Sequence, residues 1–236
     1  MKFSMITLGC KVNTYESEMI KENLSKENFI YEENQELSDI IIINTCSVTN
    51  MADNKSKKMV RHAKRLGKII VVCGCSAENK QQEYENMGID ILIGNKDKSK
   101  IHELLKNYLE TKTSYTKFYK EKELPFEDMS IEKFSSHTRA FIKIQDGCNN
   151  FCSYCIIPYV RKNIRSKDFQ KTLEEIKILV QNGHKEIVLT GIHTGSYQDG
   201  NYDFADLLHE IGELEGLERI RISSVEITEL NDKVLE

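Results

Sequence analysis

The chain has 236 residues, of which 39% are hydrophobic and 30% charged, and its formal net charge at pH 7 is -4. This length suits one large domain or two ordinary ones, and the weak acidity excludes a protein that attracts nucleic acid through its overall charge. No apolar run approaches the ~18 residues that a membrane span needs, so we expect no membrane partner. Seven cysteines, an odd number, predict metal ligands in a reducing, cytoplasmic compartment rather than a disulfide framework.

Residues 1–112 alternate between strand-like and helix-like patterns. The run Ile40–Ile43 is continuously apolar and β-branched, as expected for a central parallel strand that is buried on both faces. A helix predicted over Met51–Leu66 ends at Gly67, a typical residue after a helix. This alternation predicts an α/β domain with a doubly wound parallel sheet. The predicted strands are Phe3–Leu8, Asp39–Asn44, Lys68–Cys73 and Asp90–Ile93.

Residues 113–137 lose this pattern and are predicted to be a linker. They contain the charged run Lys120–Glu123, Pro125 and the pair Ser135-Ser136. A short strand over Tyr115–Tyr119 is the one regular element predicted there.

Residues 138–236 are predicted to be a second domain built from three successive strand–helix units. Because a parallel edge strand would be left exposed, we expect the chain to be a fragment of a longer protein. The predicted elements are the strand Arg139–Gln145, the helix Asp168–Asn182, the strand Glu186–Thr190, the helix Phe204–Leu214, the strand Arg219–Ser224 and a third helix that begins near Glu229.

Three cysteines, Cys148, Cys152 and Cys155, follow the first strand of this second domain. Thiolates in such a short run bind iron–sulfur clusters, normally four of them, so three would leave one iron open to another ligand. The alternatives are a redox pair or a zinc site, which needs a fourth ligand. His137 and His184 are the nearest histidines, and neither has a ligand-like spacing.

Three other cysteines, Cys10, Cys46 and Cys75, each follow a predicted strand of the first domain. The carboxyl ends of parallel strands share one edge of a sheet, which is where such folds bind ligands. Preceding glycines, Gly9 and Gly74, would let the backbone approach a bulky cluster. The alternative is that these cysteines are small buried residues, which is the role we expect for Cys73 inside its strand.

Several phrases of the sequence resemble those of radical S-adenosylmethionine (SAM) enzymes, and among them the methylthiotransferases. The resemblance covers both predicted domains and implies that the second is the first part of a radical SAM (β/α)6-type partial barrel. The matching phrases are Leu8-Gly9-Cys10-Lys11-Val12-Asn13, Asn44-Thr45-Cys46, Gly74-Cys75-Ser76-Ala77-Glu78, Gln145-Asp146-Gly147-Cys148 and Ile156-Ile157-Pro158-Tyr159. The family usually has glycine after the arginine of Pro158-Tyr159-Val160-Arg161, where this chain has Lys162.

The resemblance implies two 4Fe-4S clusters and SAM as cofactors. Cys148, Cys152 and Cys155 would hold the cluster that binds SAM, and Cys10, Cys46 and Cys75 would hold the cluster that donates sulfur. The residues implied to contact the cofactor are Tyr154, Thr190, Gly191, Ser223 and Glu226. Two basic groups could contact RNA phosphates. The one after the cysteine run, with Arg161 and Arg165, is the predicted contact, because it lies beside the proposed active site. The other is the outer face of the predicted helix Met51–Leu66, for which a solvated surface is the alternative; it carries Lys57, Lys58, Arg61, Lys64 and Arg65.

Three further phrases are most similar to the branch that methylthiolates carbon 2 of N6-threonylcarbamoyladenosine next to the tRNA anticodon. They are Lys11–Glu16, Leu189–Tyr197 and Arg221–Glu226. The expected partners of a monomeric enzyme are then tRNA and an electron donor such as flavodoxin or ferredoxin. The alternatives are the branches acting on isopentenyladenosine in tRNA or on a ribosomal-protein aspartate. A protein of another class, a non-catalytic iron–sulfur redox protein, is the remaining alternative.

Overall fold

The computed structural model describes residues 1–121, 123–134 and 139–235. The chain divides into two compact units, the first made of Met1–Glu121 with Tyr154–Val160, and the second of Lys122–Ser153 with Arg161–Glu236. Part of the predicted linker, with Lys122, Ser135-Ser136 and His137, lies outside the described residues. So do the predicted first and last residues of the second domain, Thr138 and Glu236.

The first unit has, within the described residues, a sheet of six parallel strands in the order β2-β1-β3-β4-β5-β6. All four strands predicted in this region are present, each shifted by about one residue at its ends, as is usual for strand boundaries. The strands are β1 (Lys2–Thr7), β2 (Ile30–Tyr31), β3 (Ile40–Thr45), β4 (Ile69–Gly74), β5 (Ile91–Ile93) and β6 (Tyr115–Lys117).

Helices cover both faces of this sheet. The helices are α1 (Lys11–Lys26), α2 (Asn50–Arg65), α3 (Cys75–Asn79), α4 (Gln81–Glu85), α5 (Ile101–Thr111) and α6 (Ile157–Val160), with a 3-10 turn at Lys98–Lys100. Val60 and Ala63 of α2 pack with Ile41 and Ile43 of β3 on one face. Asn44, which points the opposite way along the strand, bonds to α1 through the Asn13 carbonyl. The predicted doubly wound α/β fold is therefore confirmed.

The region predicted to be a linker contains the short strand predicted over Tyr115–Tyr119, which the structure confirms over Tyr115–Lys117. This strand, β6, pairs in parallel with β5, in the register Ile91 with Tyr115 and Ile93 with Lys117. These residues therefore complete the sheet of the first unit, because the exposed edge of β5 offers backbone partners that the sequence alone does not reveal.

The second unit has, in its described part, three parallel strands in the order β13-β10-β7, together with two short antiparallel strand pairs. This is the arrangement expected for the first part of a parallel barrel. The strands are β7 (Ala140–Lys143), β8 (Gln145–Asp146), β9 (Arg165–Ser166), β10 (Glu186–Thr190), β11 (Gln198–Asp199), β12 (Tyr202–Asp203) and β13 (Arg219–Ile222).

The helices of this unit begin where their capping residues place them. Asp168, predicted as the first helical residue, is instead the N-cap of its helix and accepts a hydrogen bond from Lys171 N (2.8 Å). Asp203 and Asp206 form a capping box for the next helix. The helices are α7 (Phe169–Gln181), α8 (Phe204–Gly212) and α9 (Asp232–Leu235), with 3-10 turns at Thr194–Ser196 and Ile227–Glu229.

A membrane span was not expected from the sequence. Across the residues described above, no helix has the length and apolar character needed to cross a bilayer.

Candidate metal centres

Cys10, Cys46 and Cys75 lie at one edge of the first sheet. Cys46 and Cys75 directly follow Thr45 and Gly74, which are paired in the register of β3 and β4. Cys10 follows β1, whose last residue pairs with the residue before Thr45. The predicted placement of three thiols beyond the carboxyl ends of neighbouring strands is therefore what the structure shows.

Glycine is required at this edge because the backbone passes very close to the cysteine segments. A β-carbon added at Gly9, where φ is +106°, would lie 2.7 Å from Cys46 Sγ. A β-carbon added at Gly74, where φ is +102°, would lie 2.5 Å from the carbonyl oxygen of Thr45. Both the backbone conformation and the space therefore exclude any side chain.

Hydrogen bonds fix the loops that carry these cysteines. The side chain of Asn13 donates from Nδ2 to the carbonyls of Leu8 (2.6 Å) and Thr45 (3.0 Å), and so joins the ends of β1 and β3. Cys46 N donates to Ser56 Oγ on α2 (3.1 Å). The thiol positions are thus set by buried polar contacts rather than by mobile loops.

Asn95, a residue that the sequence did not single out, contacts the third cysteine. Its Nδ2 lies 3.5 Å from Cys75 Sγ, and both side chains are buried. The signal that would have found it is the pair Gly94-Asn95 after β5, which repeats the pattern of Gly9-Cys10 and Gly74-Cys75 after the other strands.

The donor set at this edge fits an iron–sulfur cluster. Cys10 is exposed while Cys46 and Cys75 are buried, and soft thiolates select iron–sulfur clusters over hard cations. Within the described parts of the chain, no three Cys, His, Asp or Glu side chains converge tightly enough to hold a single metal ion. A cubane makes no such demand, because each thiolate binds a different iron.

The loop that begins the second cysteine run is held tightly at its start. A β-carbon at Gly147, where φ is +76°, would overlap the carbonyl oxygen of Asn163. Cys148 N donates to the Lys162 carbonyl (3.1 Å). Lys162, which stands where the family usually has glycine, has a φ of +64°, in the region that favours glycine. Cys152 is exposed, and Cys148 and Cys155 are half-buried.

The buried side chain of Gln145 joins this loop to the loop after β10. Its Nε2 donates to the carbonyls of Asp146 (3.1 Å) and Gly147 (2.8 Å). Its Oε1 accepts from the backbone N–H groups of Ile192 (2.9 Å) and His193 (2.8 Å). Gln145 therefore uses both ends of its amide to hold together two segments that the family resemblance assigns to cofactor binding.

Four of the predicted cofactor residues lie at the carboxyl ends of β10 and β13. Thr190 Oγ1 and Ser223 Oγ are 3.2 Å apart, and a β-carbon at Gly191 would lie 2.9 Å from Gln145 Oε1. Glu226 Oε1 accepts from Asn150 Nδ2 (3.3 Å). The fifth residue, Tyr154, is 90% exposed. Their contacts with a cofactor stay a prediction.

Arg161 and Arg165, whose contact with RNA stays a prediction, take part in a buried ion-pair network of the fold. Both guanidinium groups are turned inward and pair with Asp146, at 3.0 Å for Arg161 and 2.9 Å for Arg165. Lys143 pairs with the same carboxylate at 2.7 Å. Burial raises the pKa of Asp146, but the three cations outweigh it and hold that pKa well below its ordinary value.

His184 has a structural role in the fold, which weakens the zinc alternative. Its Nε2 accepts a hydrogen bond from Phe134 N (3.2 Å) and its side chain is buried. The other histidine considered for zinc, His137, lies outside the described residues.

Two family models match the chain. Residues 2–94 match the uncharacterized protein family UPF0004, and residues 142–236 match the radical SAM superfamily. Among solved structures, the radical SAM methyltransferase TsrM from Kitasatospora setae covers 94% of this chain and 59% of its own, with a TM-score of 0.56 and 12% sequence identity. At that identity the likeness concerns the fold alone.

Curated relatives match along almost the whole chain. It is 40% identical to the threonylcarbamoyladenosine tRNA methylthiotransferase MtaB of Bacillus subtilis (98% of this chain, 52% of the relative) and 35% identical to that of Aquifex aeolicus (100% and 59%). It is 34% identical to the tRNA-2-methylthio-N(6)-dimethylallyladenosine synthase of Clostridium perfringens (99% and 55%). The chain thus spans between half and three-fifths of these relatives. Its two matched domains and its relatives place the chain in the methylthiotransferase family of radical SAM proteins.

Proposed function

We propose that this chain is the cluster-binding part of a radical SAM tRNA methylthiotransferase, which methylthiolates carbon 2 of N6-threonylcarbamoyladenosine next to the anticodon. The observation that carries the proposal is the first cysteine triad. Three thiols follow three neighbouring strands at one sheet edge, with glycine backbone against Cys46 Sγ, in a chain that also has the radical SAM cysteine run.

The two triads would hold one 4Fe-4S cluster each. Cys10, Cys46 and Cys75 would hold the sulfur-donating cluster at the edge of the first sheet, and Cys148, Cys152 and Cys155 would hold the SAM-binding cluster of the radical SAM region. When bound, the clusters and SAM supply the radical chemistry and the sulfur that is transferred. With three thiolates in each set, one corner of each cluster would be open to a further ligand.

The protein's own residues would orient SAM on the second cluster. Gln145 fixes the loop that begins at Gly191 against the start of the cysteine run, so backbone groups of this loop are available to the methionine part of SAM. Thr190, Ser223 and Glu226 add hydroxyl and carboxylate groups at the same strand ends. Tyr154 would offer its exposed ring to the adenine.

The choice of target base follows the relatives and the sequence phrases together. Three relatives named for threonylcarbamoyladenosine are 35–40% identical to this chain, against 34% for the dimethylallyladenosine synthase. The phrase Leu189–Tyr197, which includes the loop held by Gln145, favours the same branch. Isopentenyladenosine in tRNA and a ribosomal-protein aspartate are the alternative targets.

The tRNA would contact the outer face of α2 in this part of the protein. Lys58, Arg61 and Arg65 are exposed on that face at spacings of three and four residues. Arg161 and Arg165, by contrast, pair with Asp146. We further propose that the protein acts in the cytoplasm as a monomer and receives its electrons from a flavodoxin or ferredoxin.

Nucleoside mass spectrometry tests the proposal directly. In a strain of the source organism that lacks this gene, we expect tRNA to lose the methylthio group from threonylcarbamoyladenosine and to keep it on isopentenyladenosine. Retention on threonylcarbamoyladenosine would exclude the proposed target. A non-catalytic redox protein would instead yield no 5′-deoxyadenosine when the protein is mixed with SAM and dithionite.

A further inference from the structure

Asn95 lies in a buried polar network behind the third cysteine of the first triad. Its Oδ1 accepts from Lys98 Nζ (3.2 Å), and Lys98 also pairs with Glu16 of α1. The side chains of Lys98 and Glu16 are fully buried, so each holds the other in place. Lys98, which contacts the oxygen of the Asn95 amide, is therefore itself held in a fixed position by Glu16.

The neighbours of Asn95 determine which end of its amide is the nitrogen. Lys98 can only donate, so it must face the amide oxygen. The Val160 carbonyl can only accept, and it lies 2.8 Å from Nδ2. The amide orientation is thus assigned by two partners of opposite kind rather than by an arbitrary choice between O and N.

One hydrogen of Nδ2 then remains for Cys75. An amide nitrogen carries two hydrogens, of which the Val160 carbonyl takes one, and Cys75 Sγ lies 3.5 Å from the same nitrogen. The other two asparagines near this sheet edge are already committed to oxygen. Asn13 Nδ2 donates to two carbonyls, and Asn44 Nδ2 to one carbonyl and Ser17 Oγ.

We propose that Asn95 is a positioning residue that donates an N–H···S hydrogen bond to the Cys75 thiolate and thereby raises the reduction potential of the first cluster. The inference rests on the proposed assignment of Cys75 as a cluster ligand. A hydrogen bond to a ligand sulfur withdraws electron density and favours the reduced, more negative cluster. The reduction potential of the first cluster would thus be raised by Asn95, a residue that follows β5, although β5 is followed by no cluster cysteine.

The test is a reductive titration of the first cluster alone, in the full chain with Cys148, Cys152 and Cys155 replaced by alanine. N95L removes the donor and keeps the side-chain volume, while N95D keeps the shape and an acceptor for Lys98 but lacks the N–H. We expect both variants to bind iron and to have a lower reduction potential than the parent. N54L, at an exposed asparagine of α2, should leave the potential unchanged.

An unchanged potential in N95L and N95D, with iron bound, would overturn the proposal. If Asn95 had a purely structural role, N95L and N95D would lower the iron content or the melting temperature but would not shift the reduction potential. If neither variant binds iron, the test is made on the parent protein labelled with 15Nδ-asparagine. Its reduced cluster should show a 15N coupling in pulsed EPR. Absence of the coupling would also overturn the proposal. A parent that binds no cluster at all would contradict the proposed function instead.

Discussion

The backbone of Gly9 lies against the side chain of Cys46, so that a β-carbon at Gly9 would stand 2.7 Å from Cys46 Sγ. We expect Gly9→Ala to destabilise the iron-free chain by about 2–4 kcal/mol, because overpacking adds to the cost of a positive φ. Iron binding by the first triad should fall with it. Urea unfolding and iron analysis measure the two effects.

Gly67→Ala is the matched control for this substitution. Gly67 also has a positive φ, but among the described residues no atom beyond its own chain neighbours lies within 4 Å of the position its β-carbon would take. Gly67→Ala should therefore lower the free energy of unfolding only by the cost of the positive φ, about 1 kcal/mol, and should leave iron binding intact. Equal losses in the two variants would show that close approach to Cys46 is unimportant.

The buried carboxylate of Asp146 should make the second unit sensitive to acid. Since its folded pKa lies below its unfolded value, it stabilises the fold above about pH 4 and loses that contribution as the pH falls toward the folded pKa. Asp146→Asn should cost about 3–5 kcal/mol at pH 7, because Arg161, Arg165 and Lys143 lose their common partner.

Unfolding free energies measured at several pH values check this prediction. The difference between the parent and Asp146→Asn should be constant near neutrality and should shrink below about pH 4, because the Asp146 carboxyl then binds a proton in the unfolded chain while it stays ionised in the folded one. A difference that grows in acid would contradict the assigned direction of the pKa shift.

The buried pair of Lys98 and Glu16 should show strong coupling. Lys98→Met alone leaves the Glu16 carboxylate buried without its lysine. We expect it to lower the free energy of unfolding by about 3–5 kcal/mol. The double variant E16L/K98M removes both charges and should be more stable than Lys98→Met. Chemical denaturation of the four proteins in the cycle gives the coupling energy, and additive losses would refute the interaction.

The exposed face of α2 should contribute to tRNA binding by neutralising phosphates. Replacing Lys58, Arg61 and Arg65 by glutamine should weaken binding and reduce the slope of log K against log salt by about 0.7–0.9 for each phosphate that is no longer neutralised. Fluorescence anisotropy at several salt concentrations measures the slope. The same replacement of Lys171 and Lys185, exposed lysines that pair with carboxylates, is the control and should have little effect.

The sequence was sufficient to predict the edge of the first sheet where three cysteines lie. The apolar run Ile40–Ile43 marks a buried parallel strand, and strand order is not needed to know that parallel strands end at a common edge. Cys46 and Cys75 therefore had predictable places. The structure added the reason for Gly9 and Gly74, which is the close passage of backbone past Cys46 and Thr45.

The inward direction of Arg161 and Arg165 was beyond sequence reasoning. An arginine beside a cofactor loop is as suitable for phosphate as for a carboxylate. The choice depends on the antiparallel pairing of β8 with β9, whose register sets Asp146 opposite Arg165. That pairing is a property of the folded unit, since the two residues are separated by the whole cysteine run.

The most direct test of two separate clusters is an iron count after anaerobic reconstitution. We predict about eight irons per chain, falling to about four when Cys10, Cys46 and Cys75 are replaced by alanine, and likewise when Cys148, Cys152 and Cys155 are replaced. About four irons in the parent, unaffected by replacement of the first triad, would contradict the account.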